Sequence, residues 1–267
     1  MIYQKTKNDI DHIRKAGRIL ARALNRTLQE VKPGITTRQL DFIAEEWIRG
    51  EGGLPTFKGI YGDPSRGIPP FPGTLCISVN EEVVHGIPGI RVLQEGDIIS
   101  LDCGVTIKAN GRQYVADSAV TVGVGTISDE DTYLLELTDT SLAKGIEQTR
   151  IGNRLYDIGA AIEAHIKPSG YGIVREYFGH GVGYQLHEDP MVPNFGRAGT
   201  GPRLKNGWVL ALEPMVNLGD DAVHTLDDAW TVVTSDGARS AHFEHTVAIT
   251  EDGPEILTRR DLPEVQV

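Results

Sequence analysis

The sequence is short of cysteine, of basic charge and of long apolar runs. Two cysteines in 267 residues cannot form a disulfide scaffold and fit a reducing compartment. Lys plus Arg number 26 against 37 Asp plus Glu, a net charge of −11. That balance excludes a protein held on nucleic acid by phosphate contacts, and it excludes a basic membrane-surface patch. The longest apolar stretches, such as Val115–Val124, are broken by Asp117, Ser118 and Gly123. They fall short of the ~20 residues of a spanning helix. The first ten residues have no apolar core of the secretory kind, so the expectation is a cytoplasmic protein. Apolar content of 40% and charged content of 24% are ordinary globular values. With 31 glycines and 14 prolines, the chain reads as turn-rich with β structure.

Apolar residues at three- and four-residue steps predict a helix over 8–31, stopped by Lys32-Pro33-Gly34. Thr37 is the expected N-cap of a second helix, with Leu40, Ile43, Ala44, Trp47 and Ile48 on its buried face. Residues 49–75 form a Gly- and Pro-rich loop, long enough to suggest function. Strands are expected at Leu75–Val79, Ile98–Ile107 and Tyr114–Val122, with Asn110-Gly111 turning the last two into a hairpin. Helices follow at about 129–148 and 153–167, then short strands over 172–257. Residues 33–48 and 151–166 share an apolar spacing, which suggests two similar helix–helix–strand halves in a single α+β domain over 1–267.

Carboxylates interrupt apolar runs at Asp102, Asp117, Glu213 and Glu244. A buried unpaired carboxylate is costly, so such residues are normally paired or bind metal. A four-residue loop at 108–111 would put Asp102 directly opposite Asp117. A two-residue turn at Asn110-Gly111 would put Asp102 opposite Ala119. Facing carboxylates repel unless a cation lies between them, so the metal reading favours the wider loop. His180, between Gly179 and Gly181, adds an imidazole. The set lacks thiolates, which argues against structural zinc and favours a pair of divalent ions (Co, Mn, Fe or Zn) that activate water. His85 and His187 sit in turn-prone segments and are then the groups that donate to substrate.

Five stretches carry a resemblance: Cys76-Ile-Ser-Val-Asn-Glu-Glu-Val-Val-His-Gly-Ile-Pro88, Gly96-Asp-Ile-Ile-Ser-Leu-Asp102, Gly179-His-Gly-Val-Gly-Tyr-Gln-Leu-His-Glu-Asp-Pro190, Ala211-Leu-Glu-Pro-Met215 and Phe243-Glu-His-Thr246. In this order they resemble the bacterial type I methionine aminopeptidases. The resemblance implies a pita-bread fold, with pseudo-two-fold halves and helices covering a curved antiparallel sheet. It implies metal ligation by Asp102, Asp117, His180, Glu213 and Glu244, with Asp117 and Glu244 bridging two ions. A hydroxide bridging the ions would attack the scissile carbonyl. Catalytic roles fall to Glu213, His85 and His187. His85 and His187 would also touch substrate, and Trp230, Cys76, Phe71 and Leu186 would line the methionine pocket.

The implied substrate is the N-terminus of a nascent polypeptide with a small second residue. The implied protein is a monomer with at most transient ribosome contact, since Arg14-Lys15 and Arg259-Arg260 are thin as basic patches. Loop 57–72 is longer than usual in that family, which leaves the pocket tyrosine as either Tyr61 or Ile68. The Asp102–Asp117 spacing is also longer, so the hairpin tip should protrude. Xaa-Pro aminopeptidases share the five-ligand pattern, but they usually carry an extra N-terminal domain. Here about 84 residues of helix and loop precede His85.

Overall fold

In this computed structural model, residues 1–260 are described, apart from 64 and 66. The last seven positions of the expected domain 1–267, and Pro64 and Arg66 of the long loop, lie outside the described residues.

Four helices form where the period was strongest: α1 (Lys7–Leu28), α2 (Thr37–Gly50), α3 (Asp129–Gln148) and α4 (Leu155–Ile166). Thr6 and Asp9 close a reciprocal capping box on α1. The N-cap of α2 is Thr36, not Thr37, because Gln39 stands three residues on and completes the same box. Helix α1 ends at Leu28, three residues before the predicted stop. Leu40, Ala44 and Ile48 are fully buried, whereas Trp47 is 41% exposed and leaves the predicted buried face.

The strands are β1 (Leu54–Pro55), β2 (Leu75–Val79), β3 (Glu82–Val84), β4 (Ile98–Ala109), β5 (Arg112–Gly123), β6 (Gly172–Ile173), β7 (Gly179–Gly181), β8 (Glu188–Val192), β9 (Val209–Leu212), β10 (Met215–Asn217), β11 (Val223–Thr225), β12 (Val232–Thr234), β13 (Ser240–His242), β14 (His245–Thr250) and β15 (Gly253–Ile256). Every named strand pair is antiparallel. One sheet joins β1, β4 and β2, with β5 on β4. A five-stranded sheet runs β15-β14-β9-β7-β8, and two three-stranded sheets run β13-β10-β6 and β11-β12-β3. Helix α1 packs on β4 and β5, and α3 packs on β10 and β13. Ile13, Leu20 and Leu24 of α1 are fully buried, and each such side chain contributes about 1.5–3 kcal/mol.

The β4–β5 hairpin takes the two-residue turn. Ala109 pairs with Arg112, so Asp102 faces Ala119 and Asp117 faces Gly104. The expected direct opposition of Asp102 and Asp117 is therefore wrong. Asn110 (φ 51°) and Gly111 (φ 73°) both accept the left-handed backbone that a tight hairpin turn needs, and this local chemistry sets the register. Asp102 and Asp117 are now diagonal neighbours on one face, a separation that leaves room between them. Gly104 is required opposite Asp117: a Cβ there would lie 2.7 Å from the Phe57 ring.

Candidate metal centre and active site

Asp102 and Asp117 reach the site from the hairpin, on β4 and β5. His180 comes from the middle of β7. Glu213 and Glu244 sit where the chain leaves one sheet for another. Glu213 separates β9 from β10, and Glu244 separates β13 from β14. The two breaks lie opposite each other, since Met215 pairs with His242 and His245 pairs with Leu212. A ladder interrupted on both strands turns these two carboxylates away from the sheet pattern. Hydroxyls tie the segments together beside these carboxylates. Thr246 Oγ1 donates to Asp117 O (2.8 Å) and accepts from Asp117 N (2.9 Å), and Ser118 Oγ donates to Glu244 O (2.6 Å).

Ligand atoms of Asp117, His180 and Glu244 all lie within 4.8 Å of one another, and all three residues are buried. Asp102 and Glu213 line the same cavity outside that tightest group. His180 Nε2 is 3.4 Å from Glu213 Oε1 and 4.0 Å from Asp117 Oδ2. His180 Nδ1 is 2.9 Å from the Gly181 carbonyl, a geometry in which Nδ1–H donates and Nε2 presents a lone pair to the carboxylates.

Burial pushes the Asp102, Asp117, Glu213 and Glu244 carboxyls above the usual carboxylate range; neighbouring carboxylates add to the rise at Asp102, Asp117 and Glu244. Burial, and secondarily His187, lowers His180 to about 3. Asp102 Oδ1, Asp117 Oδ1 and Glu244 Oε1 have no hydrogen-bond partner among the described residues. Buried acceptors of this kind, converging with a bare imidazole nitrogen, fit a divalent cation with oxygen-rich ligation.

The cavity beside the carboxylates is lined by Tyr61, Phe71, Cys76, His85, Leu186, His187 and Trp230, with Phe57 and Ile60. Phe71 meets Trp230 edge-on at 5.1 Å, and Trp230 Nε1 donates to Pro69 O at 3.0 Å. Cys76 stands on β2 opposite Asp102, and burial pushes its thiol well up, so it acts as a small neutral apolar group. Of the two candidates the sequence leaves open for the pocket tyrosine, Tyr61 lines the cavity. Ile68 instead bridges to Asp63 within the loop.

His85 and His187 stand at the junction between this cavity and an outer cleft. The cleft is lined also by Met1, Tyr3, Tyr177, Gln185 and Asp189. His85 holds φ 60°. Gly86 must follow it, because a Cβ there would lie 2.1 Å from Ile77 O. Burial lowers His85 to about 4, aided by His242 and His187, so it stays neutral at pH 7.

Three residues beside the site receive no role from the sequence. His242 Nε2 lies 3.6 Å from Glu213 Oε2, and Tyr177 meets the His85 ring edge-on at 5.5 Å. Phe57 packs behind Gly104. The position of His242, two residues before Glu244, was the one available signal.

The sequence model of metallopeptidase family M24 matches residues 11–251. The methionine aminopeptidase of Clostridium perfringens is 53% identical over 258 residues, covering 97% of this chain and 99% of that protein. The chain belongs to metallopeptidase family M24, among its methionine aminopeptidases. It is thus a metal-dependent hydrolase. The crystal structure of methionine aminopeptidase from Thermotoga maritima superposes with TM-score 0.90 at 41% identity, covering 97% of this chain and all of that one. Prolidase from Pyrococcus horikoshii shares the pita-bread fold with TM-score 0.74 at 21% identity, and the match covers 98% of this chain but 65% of that one. The helices and antiparallel sheets above are those of this M24 fold. Among the described residues, no helix is long and apolar enough to cross a membrane.

The raised carboxyls carry a consequence for metal loading. A group whose pKa lies above its ordinary value holds protons at pH values where a free carboxylate would not. A cation must displace them. Adding Mn²⁺ to metal-free protein will therefore release protons, more at pH 6 than at pH 8. Calorimetric heats in two buffers of different ionisation enthalpy read this directly. Equal heats in both buffers at pH 6 would show the carboxylates already ionised.

Proposed function

We propose that this chain removes the initiator methionine from nascent polypeptides with a small second residue, using two divalent ions held by Asp102, Asp117, His180, Glu213 and Glu244. The observation that carries the reading is the junction itself. An apolar cavity of Phe71, Cys76, Leu186, Trp230 and Tyr61 opens directly onto the converging carboxylates. A thioether side chain suits that lining, and its free amine and scissile carbonyl would then stand beside the acids.

On this reading Asp117, His180 and Glu244, whose ligand atoms lie within 4.8 Å of one another, would hold the ions at the centre of the set, with Asp102 and Glu213 beside them. When bound, the ions supply Lewis acidity toward the carbonyl and lower the pKa of water. Glu213 accepts the proton of the attacking water at a carboxylate oxygen and returns it to the leaving amine. His85 and His187 donate toward the carbonyl oxygen as charge develops there. His85 and Tyr177 stand against the exit toward the outer cleft, where a bulky second residue would clash. On this reading the enzyme is a cytoplasmic monomer with at most transient ribosome contact.

The test is hydrolysis of Met-Ala-Ser, Lys-Ala-Ser and Ala-Pro-Ala by metal-free protein reloaded with Mn²⁺ or Co²⁺. Release of methionine alone is expected, with a loss of at least about a hundredfold in Asp102→Ala, of the order seen when a major transition-state contact is removed. Cleavage of the proline peptide in place of the methionine peptide would move the chain to the Xaa-Pro aminopeptidases.

A further inference from the structure

Tyr61 lies on the long loop, 126 residues from His187 in the chain, yet its hydroxyl is 2.7 Å from His187 Nδ1. The two rings are stacked, with centroids 5.4 Å apart and planes 22° from parallel. The contact is built and not incidental. Tyr61 takes φ 54°, a conformation that a non-glycine residue keeps only where its surroundings impose it. The surroundings here are specific. Gly59 N donates to Phe71 O (2.8 Å) and Phe71 N to Ile60 O (3.0 Å), which closes the base of the loop. Asp63 and Ile68 exchange two backbone hydrogen bonds of 2.8 and 3.0 Å across its tip. Pro70 fills the space where a Cβ on Gly62 would stand, 2.7 Å away. Trp230 ties Pro69 from the other side.

We propose that Tyr61 is a positioning residue for the reaction: its hydroxyl donates to His187 Nδ1 and holds the imidazole as the Nε2–H tautomer, with that donor facing the reacting carbonyl. This rests on the proposed aminopeptidase reading of the site. A neutral imidazole has one donor nitrogen and one acceptor nitrogen, and the hydrogen bond made by one decides the other. A phenol is the stronger donor of the pair, and an imidazole nitrogen the stronger acceptor. The alternative tautomer would point a lone pair at a carbonyl oxygen that is gaining negative charge, and would repel it. His187 Nε2 has no other protein partner among the described residues, so Tyr61 is the group that sets the choice. The edge of the His180 ring, with centroids 4.3 Å away at 81°, limits rotation on the other side. The long loop thereby acquires a role beyond lining the pocket.

Tyr61→Phe keeps the ring and its stacking and deletes the hydroxyl. The variant is expected to lose about tenfold or more in kcat for Met-Ala-Ser, with KM changed less than twofold, as for an interaction made chiefly in the transition state. In metal-free protein labelled with ¹⁵N-histidine, long-range ¹H–¹⁵N spectra should show His187 as one tautomer in the parent and as a mixture in the variant. Gly62→Ala, which drives a methyl into Pro70 and shifts Tyr61, should reproduce both changes. An unchanged kcat, a loss confined to KM, or an unchanged His187 spectrum in Tyr61→Phe would overturn the assignment. If the parent itself releases no methionine, the aminopeptidase reading fails. The spectra still decide whether Tyr61 sets the tautomer.

Discussion

Glu213→Gln will keep its metal and lose its turnover, with kcat for Met-Ala-Ser down by about 10²–10⁴, the usual contribution of a positioned proton carrier. The substitution is nearly isosteric. It leaves one oxygen 3.4 Å from His180 Nε2 or 3.6 Å from His242 Nε2, according to which way the amide turns. What it removes is the ability to take a proton and give it back. Burial holds the Glu213 carboxyl above the ordinary range, which brings its proton affinity closer to that of the groups it must serve near neutral pH. Asp102→Ala, on the proposed ligation, should empty part of the site. Glu213→Gln should show metal content near the parent's by elemental analysis, with kcat and kcat/KM falling together. A variant within tenfold of the parent would take the proton-carrying role away from Glu213 and reduce it to a ligand.

Much of this arrangement is legible in the sequence, because the informative residues break strong local patterns. Carboxylates within apolar runs are costly, so each marks itself. His180 is flanked by glycines that the backbone demands: a Cβ at Gly179 would meet Ala211 O at 2.2 Å, and one at Gly181 would meet Asp189 O at the same distance. The repeat between 33–48 and 151–166 likewise corresponds to α2 and α4, since helix faces leave a period.

The errors have equally physical causes. The hairpin register follows Asn110-Gly111 at the turn, not the carboxylate electrostatics at its far end. Trp47 fits the apolar spacing of α2, but α2 packs on α1, β1 and β2 through its Leu40–Ala44–Ile48 stripe and leaves the indole outside. Contacts between distant loops leave no trace of this kind. Nothing near Tyr61 names His187, and nothing near Lys5 names its partner.

That partner is Glu188, and the pair carries the largest stability effect expected here. Both side chains are almost wholly buried. Lys5 Nζ donates to Glu188 Oε2, while Glu188 Oε1 accepts from the Tyr184 and Gln185 amides at 2.6 and 3.0 Å. Lys5 also lies over the rings of Tyr3 and Tyr184, at 5.6 and 5.3 Å. Its backbone N–H donates to Gly207 O at 2.7 Å. One ion pair thus pins the segment before α1 to the turn that carries Leu186 and His187.

Lys5→Met leaves a buried carboxylate with two amides and no counter-charge, which should cost about 3–5 kcal/mol, as for other broken buried pairs. Urea midpoints will show it. Lys5→Met combined with Glu188→Gln should recover part of that loss, because a neutral amide oxygen still accepts from Tyr184 and Gln185 without needing a cation. The recovery identifies the cause. If the single variant loses its stability through missing packing alone, the second substitution restores nothing, and the charge argument fails. Because Glu188 adjoins His187, Lys5→Met should also lower kcat in protein that remains folded. Lys5 would then link the strap before α1 to the same imidazole that Tyr61 holds from the opposite loop.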